Sequence, residues 1–252
     1  MKVAATYSIK GGVGKTSAAV NLGALAARAG LRTLIWDLDP QGAASFLFRV
    51  RPKVKGGGRK LVRGRRDPMD VMKGTDLEGL DLLPADFSYR NLDIELDKRK
   101  RPLRGLSVVL DQLDGDYDLA IIDCAPSISL VSESVFSAAD LLLVPIIPAT
   151  LSVRTFEQLQ QFLARAPQPA PDVLAFLSMV DRRKRLHREL AASLPATLPQ
   201  VADVAIPSAS AVERMGVERA PVVTTLPRSP AAQAYRELWE RVRAQLDGLA
   251  PR

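Results

Sequence analysis

The sequence predicts an α/β fold in one domain, with a mostly parallel twisted sheet and helices on both faces. Three observations predict it. Short apolar runs alternate with helical patterns from end to end. One run, DLAIIDC at 118–124, has the unbroken apolar character of a strand covered on both faces. The length of 252 residues fits one α/β domain, and 47% hydrophobic with 25% charged residues is ordinary globular composition.

The elements follow in order. VAATYS (3–8) is a first strand. Residues 15–29 form a helix with Val20, Leu22, Leu25 and Ala26 inward, stopped by Gly30. TLIWDLD (33–39) and LDLLPA (80–85) are buried strands, and 88–113 holds one or two helices. DLAIIDC is the central strand. LLLVPII (141–147), VLAFLSMV (173–180) and a short VADVAIP (201–207) complete the sheet. A last helix at about 229–247 sets Tyr235, Leu238, Trp239, Val242 and Leu246 on one stripe, which reads as core packing. Pro-rich APQPAP (166–171) reads as a loop between elements. The domain is expected to run over 1–252.

Composition excludes several classes. One cysteine, Cys124, allows no disulfide framework or paired-cysteine metal site within a chain. One histidine, His187, argues against a multi-histidine metal site. No apolar run reaches the ~18 residues of a membrane span, and the start is too quickly polar for a signal peptide. The expectation is a cytoplasmic protein.

The strongest motif is KGGVGKTS, Lys10–Gly11–Gly12–Val13–Gly14–Lys15–Thr16–Ser17, between a predicted strand and a helix. This is the context of a phosphate-binding loop and predicts a P-loop NTPase. Glycines let backbone N–H groups turn inward around phosphate oxygens, and the helix N-terminus adds its dipole. Lys15 would reach the β- and γ-phosphates, and the Thr16 hydroxyl would ligate Mg²⁺. The general pattern wants glycine at position 9, where Ile9 stands; instead, a second lysine, Lys10, opens the loop. Asp123 ends the apolar run at the carboxyl end of a parallel strand, a Walker B position suited to holding Mg²⁺.

KGGVGKT resembles the deviant Walker A motif of the ParA/MinD (SIMIBI-class) ATPases, and the chain is most similar to the ParA/Soj-like partitioning members. DLDPQG (37–42) looks like the Walker A′ motif, and DCAPS (123–127) looks like the segment after Walker B, with Ala125 in place of a proline. GLDLLPADFSYRNLDIEL (79–96), SAADLLLVPIIPATLSVRTFEQL (137–159), SMVDRRKRLHREL (178–190) and IPSASAVERMGVERAP (206–221) extend the resemblance over nearly the whole chain. It implies cofactors ATP and Mg²⁺ and slow, partner-stimulated hydrolysis. It implies that Lys10 crosses to the nucleotide of a second subunit in an ATP-bound homodimer. It implies that Asp39 orients the attacking water and shapes the Mg²⁺ shell, with Asp37 in support, and that Pro207 approaches the adenine. The spacing from Pro207 to Pro221 is longer than the family's, and no helix-turn-helix precedes the motif.

The net charge of +7 is unevenly spread. RVRPKVKGGGRKLVRGRR (49–66) carries nine cations and no acid, so the remainder of the chain stands at −2. That segment shows no apolar periodicity and reads as a mobile, Gly-containing basic loop of unassigned role. Smaller clusters are Lys98, Arg99, Lys100, Arg101 and Arg104, and Arg182, Arg183, Lys184, Arg185 and Arg188. No aromatics interleave, so phosphate contact is expected before base stacking. By resemblance, the later cluster together with Arg214 and Arg219 would bind nucleoid DNA without sequence preference. The ATP switch would position a cargo: a chromosome, a plasmid or a protein complex. A ParB-like or cargo-specific adaptor would activate hydrolysis.

Two alternatives stand beside this. A MinD-like membrane switch needs a cationic amphipathic anchor after the last helix, where the chain reads GLAPR. A metabolic enzyme on the same loop is the other. Reductases of that type need paired cysteines, and related tyrosine kinases need a tyrosine cluster; the tyrosines here are scattered at 7, 89, 117 and 235. An amide-forming synthetase stays open.

Overall fold

In the computed structural model, residues 1–166 and 169–250 are described. The predicted loop at 166–171 and the domain end at 252 therefore lie partly outside the described residues. The elements are β1 (Lys2–Thr6), α1 (Lys15–Arg28), β2 (Thr33–Asp37), α2 (Ala43–Leu47), α3 (Gly57–Val62), β3 (Lys73–Gly74), β4 (Leu80–Leu83), α4 (Leu92–Asp97), α5 (Ser107–Asp111), β5 (Leu119–Asp123), α6 (Leu130–Ala138), β6 (Leu141–Ile146), α7 (Thr150–Arg165), β7 (Asp172–Val180), α8 (Arg185–Thr197), β8 (Val201–Pro207), α9 (Ser210–Glu213), α10 (Met215–Glu218), α11 (Val222–Thr225) and α12 (Pro230–Gly248).

All the strands join one sheet in the order β3-β4-β2-β5-β1-β6-β7-β8. Every pairing is parallel except β3 with β4. Residues alternate between the two faces. Along β5, Leu119 and Ile121 enter the core beneath α1 and α12, while Ala120 and Ile122 enter the core beneath α5, α6 and α7. Both faces are covered, which is why the central strands carry no polar alternation. The stripe predicted on the last helix is buried throughout.

Two expectations need correction. Residues 49–66 are not a mobile loop. Val54, Gly58, Leu61 and Val62 are buried and recur at helical spacing, so α3 docks beside α4. Abundant charge masked that period. Glu95 on α4 holds the docking, meeting Arg63 at 2.7 Å, Arg59 at 3.3 Å and Lys98 at 3.6 Å. The second correction is β3, an edge strand of two residues that no pattern signalled.

The register places three chemical side chains together. Asp123 pairs with Thr6 on one side and Asp37 on the other. All three sit at the carboxyl ends of adjacent parallel strands, where open α/β sheets bind ligands.

Candidate functional site

The loop from β1 to α1 is shaped by left-handed backbone at Gly12 (φ 70°) and Gly14 (φ 96°). A side chain at Gly14 is excluded twice over. The conformation strains any L-residue, and a Cβ there would meet Ser178 Oγ at 2.7 Å. Gly14→Ala is expected to lower stability by about 1–2 kcal/mol, with Ser178→Ala restoring only the steric part. Urea melts of the single and double variants check this.

No acidic residue occupies the first turn of α1, so its dipole is free to face an anion. The opening N–H groups of the helix, at Lys15, Thr16 and Ser17, have no intrahelical acceptor. Lys15 is only 6% exposed, and its Nζ donates to the Lys10 carbonyl at 3.1 Å. Burial lowers its pKa, opposed by the charges of Asp123, Cys124 and Asp39. The ammonium is thus held inside the loop and aimed at its mouth. Lys10 is half-buried, and its Nζ donates to Ser152 Oγ near the start of α7 at 3.4 Å.

Thr16 Oγ1 donates to Asp123 Oδ2 at 2.6 Å, and Thr6 Oγ1 donates to Asp123 Oδ1 at 3.2 Å. Asp123 is fully buried. Desolvation, then the charge of Asp37, raises its pKa to about 7, against the lowering effect of both hydroxyls. Asp37 accepts from the Ser45 N–H and hydroxyl, both at 2.7 Å, through Oδ2. Its Oδ1 is buried without a hydrogen-bond partner among the described residues. Desolvation raises its pKa to about 6. An orphaned carboxylate oxygen beside a Thr–Asp pair is an all-oxygen donor set that fits a hard divalent cation such as Mg²⁺. No cluster of three or more His, Cys, Asp or Glu side chains able to hold a metal occurs among the described residues. A cation here needs ligands from bound phosphate and water.

Carboxyls with raised folded-state pKa values bind protons more tightly folded than unfolded. Stability is therefore lost as pH rises toward about 7, and the loss is complete above it. Asp118 and Asp181 have lowered values and act only at more acidic pH. Thermal melts between pH 5 and 8 are expected to show stability falling with pH in ligand-free protein, and Asp123→Asn is expected to flatten that slope. An unchanged slope contradicts the assignment.

Asp39 lies outside this buried set. It is half-buried in the turn after β2, where Oδ1 accepts from the Gln41 N–H at 2.9 Å. Sequence reasoning gave Asp37 a supporting part; register makes it the partner of Asp123. Ser45 was missed, and its only signal was its place on a short helix after DLDPQG. Ser178 and Ser152 were missed because they approach the loop from a distant strand and a distant helix, β7 and α7. Cys124 is buried and its thiol pKa is raised by desolvation, consistent with no nucleophilic role. His187 Nδ1 accepts from the Asp181 N–H at 3.0 Å and shapes the β7–α8 loop.

Pro207 ends β8 in register with Val180, the end of β7. The loops that follow these strands leave the sheet side by side, and Ser208 N–H donates to the Val180 carbonyl at 3.0 Å. The first loop carries Arg182, Arg183 and Lys184, and the first turn of α8 after it carries Arg185 and Arg188, all exposed. Arg183 is bidentate on Asp181 at 2.9 Å, and Arg185 meets Glu189 at 2.6 Å. Arg188 donates to the carbonyls of Arg182 and Arg183. On the second, Arg214 meets Glu218 at 2.7 Å. Arg219 donates to the Phe46 carbonyl and lies over the Phe46 ring at 4.6 Å.

Residues 1–173 match the family profile described as an AAA domain. The chain is 30% identical to the chromosome partitioning protein ParA of Caulobacter vibrioides, covering 96% of this chain and 94% of that protein. It is also 30% identical to the sporulation initiation inhibitor protein Soj of Bacillus subtilis, covering 96% and 98%. Among solved structures, the cobyrinic acid a,c-diamide synthase of Mycobacterium smegmatis with bound ADP and magnesium superposes with a TM-score of 0.79. That match is 28% identical and covers 98% of this chain and 96% of that one. With a lysine-opened phosphate loop at the ends of β1, β2 and β5, this chain belongs to the ParA/MinD family of ATPases.

Proposed function

We propose that this chain is a partitioning ATPase that binds ATP with Mg²⁺, dimerises on the nucleotide, and then holds DNA without sequence preference. Hydrolysis, accelerated by an adaptor, releases the DNA and the second subunit. The observation that carries the reading is the loop: Lys15 buried in its mouth, Lys10 at its front, and Thr16 bonded to Asp123 behind it.

In this reading the N–H groups from Gly11 to Ser17 cradle the phosphates. Mg²⁺ supplies charge neutralisation on the β- and γ-phosphates when bound. Thr16 and Asp123 hold it, with Asp37 and Asp39 shaping its water shell. Asp39 orients the attacking water, and its half-exposed position suits a group that must meet solvent. Lys10 leaves Ser152 and reaches the nucleotide of the second subunit, where it offsets charge that develops in transfer. Pro207 borders the adenine.

The DNA contact falls on Arg182, Arg183, Lys184, Arg185, Arg188 and Arg214, on two neighbouring loops and the first turn of α8. Arg219, engaged with the Phe46 carbonyl and ring, is a further candidate contact. A dimer doubles the patch and raises avidity without new chemistry. DNA co-sedimentation with ATP, with ADP and without nucleotide, at two salt concentrations, tests the switch. ATP is expected to increase binding several-fold, and equal binding in all three states overturns it.

The Mycobacterium smegmatis neighbour carries a synthase name on the same fold, so fold alone does not choose the reaction. ATP turnover that rises with DNA and adaptor, and needs no amide donor, favours the partitioning reading.

A further inference from the structure

The basic segment 49–66 has no part in the site above, yet its cations are organised. A groove of about 720 Å³ lies between the chain at 49–55 and the edge strand β3. Arg49, Arg51, Lys53, Lys55 and Lys73 line it, with Asp70 as the lone carboxylate. Arg49 is already paired with Asp76 at 2.6 Å, and Asp70 lies 3.3 Å from Arg66. Arg51, Lys53, Lys55 and Lys73 are exposed and form no ion pair among the described residues.

The backbone that presents them is fixed. Val54 is 2% exposed, and its N–H donates to Asp86 Oδ2 at 2.8 Å. Arg49 sits in left-handed backbone (φ 58°) and donates to the Glu218 carbonyl at 2.8 Å. Holding four unneutralised cations around one concavity costs repulsion that a solvated tail would avoid by spreading. A bound polyanion relieves it.

The surroundings decide which polyanion. A protein interface needs a desolvated apolar centre, and an anionic membrane rewards inserted apolar groups. The groove's apolar lining is Val50 and Val71, of which Val71 is buried, and no large exposed hydrophobic is among its lining residues. No aromatic lines the groove, so it offers single-stranded bases no stacking platform. Four unpaired cations with only two valines and no aromatic between them match the phosphate backbone of a duplex.

We propose that this groove is a second binding site for the phosphate backbone of duplex DNA, independent of nucleotide. It is built within one chain from segments close in sequence, so neither ATP nor a second subunit is needed to complete it. It lies at the β3 edge, whereas the Arg182–Arg188 cluster follows β7 near the opposite, β8 edge. Six strand spacings of ~4.8 Å separate β3 from β7, while Arg49 bonds the Glu218 carbonyl and Glu218 pairs with Arg214, so the groove adjoins the second loop of the switched surface. Because the groove needs no nucleotide, its duplex contact can persist while the Arg182–Arg188 contact switches.

Fluorescence anisotropy with a labelled duplex, without nucleotide, between 50 and 200 mM salt, tests the groove. The triple variant R51Q/K53Q/K55Q is expected to bind at least ~10-fold more weakly at the lower salt. Its log–log salt slope should flatten by about 2–3, near 0.9 per lost phosphate contact. R51K/K53R/K55R is expected to keep both, which separates charge from structure. Unchanged affinity and slope in the glutamine variant overturn the site. So does selective loss of binding to poly-glutamate with duplex binding intact, which would make the partner an acidic protein. The companion R182Q/R183Q/R185Q separates this site from the ATP switch. It should lose the ATP-dependent increment, and adding R51Q/K53Q/K55Q to it should further weaken the nucleotide-free binding that is left. If it keeps the increment, the switch surface is wrong and the groove stands.

Discussion

Lys15→Ala is expected to reduce ATP affinity by about 100-fold or more. Among the described residues Lys15 is the only cation buried in the mouth of the loop, and the Lys10 carbonyl holds it in place. Its loss removes charge-assisted contacts to two phosphates, each worth about 1.5–3 kcal/mol in an environment shielded from water. A hundredfold change corresponds to about 2.8 kcal/mol. Neighbouring Asp123 and Asp37 would then face the phosphates with less positive charge, which adds to the loss. Isothermal titration with ATP and Mg²⁺ measures it. Affinity within threefold of the unaltered chain would remove Lys15 from the phosphate site.

Asp39→Ala is expected to separate binding from hydrolysis. Asp39 is half-buried, and its side chain accepts one backbone hydrogen bond in its own turn. Removing it should leave ATP affinity within about threefold. Hydrolysis should fall by about 10²–10³-fold, the scale of losing a group that positions the nucleophile. ATP-bound dimers should then accumulate on DNA. Asp37→Ala behaves differently, because Asp37 anchors Ser45, whose hydroxyl in turn accepts from the Ala85 N–H at 2.9 Å. That variant is expected to lose stability as well as turnover. Single-turnover hydrolysis beside thermal melts tells the two carboxylates apart, and normal turnover by Asp39→Ala sinks its catalytic assignment.

Much of this protein is legible in its sequence, for reasons that are local. Strands β5 and β6 are continuous apolar runs because both sheet faces are covered, and β1, β2 and β7 have apolar centres for the same reason. The phosphate loop is legible because its function needs backbone N–H groups, and those need glycine at fixed spacing. Asp123 is legible because a carboxylate ending an apolar run can only sit at a strand's carboxyl edge.

The parts that were misread are those where local pattern and tertiary context compete. At 49–66, nine cations hid four buried positions, whose cover comes from α4 with Glu95 and from the turn that holds Asp86, Ser88 and Tyr89. Edge strand β3 is two residues long, too short to carry any period.

The sequence by itself determined the fold class, the phosphate loop and the central carboxylate, since each rests on residues adjacent in the chain. Only the tertiary structure decided which carboxylate faces Asp123. It also showed that Ser178 closes over Gly14, that Arg219 is engaged with Phe46, and that the basic segment is a built groove. Each of these depends on strand order and register, which bring together residues tens to hundreds of positions apart and leave no trace in local spacing.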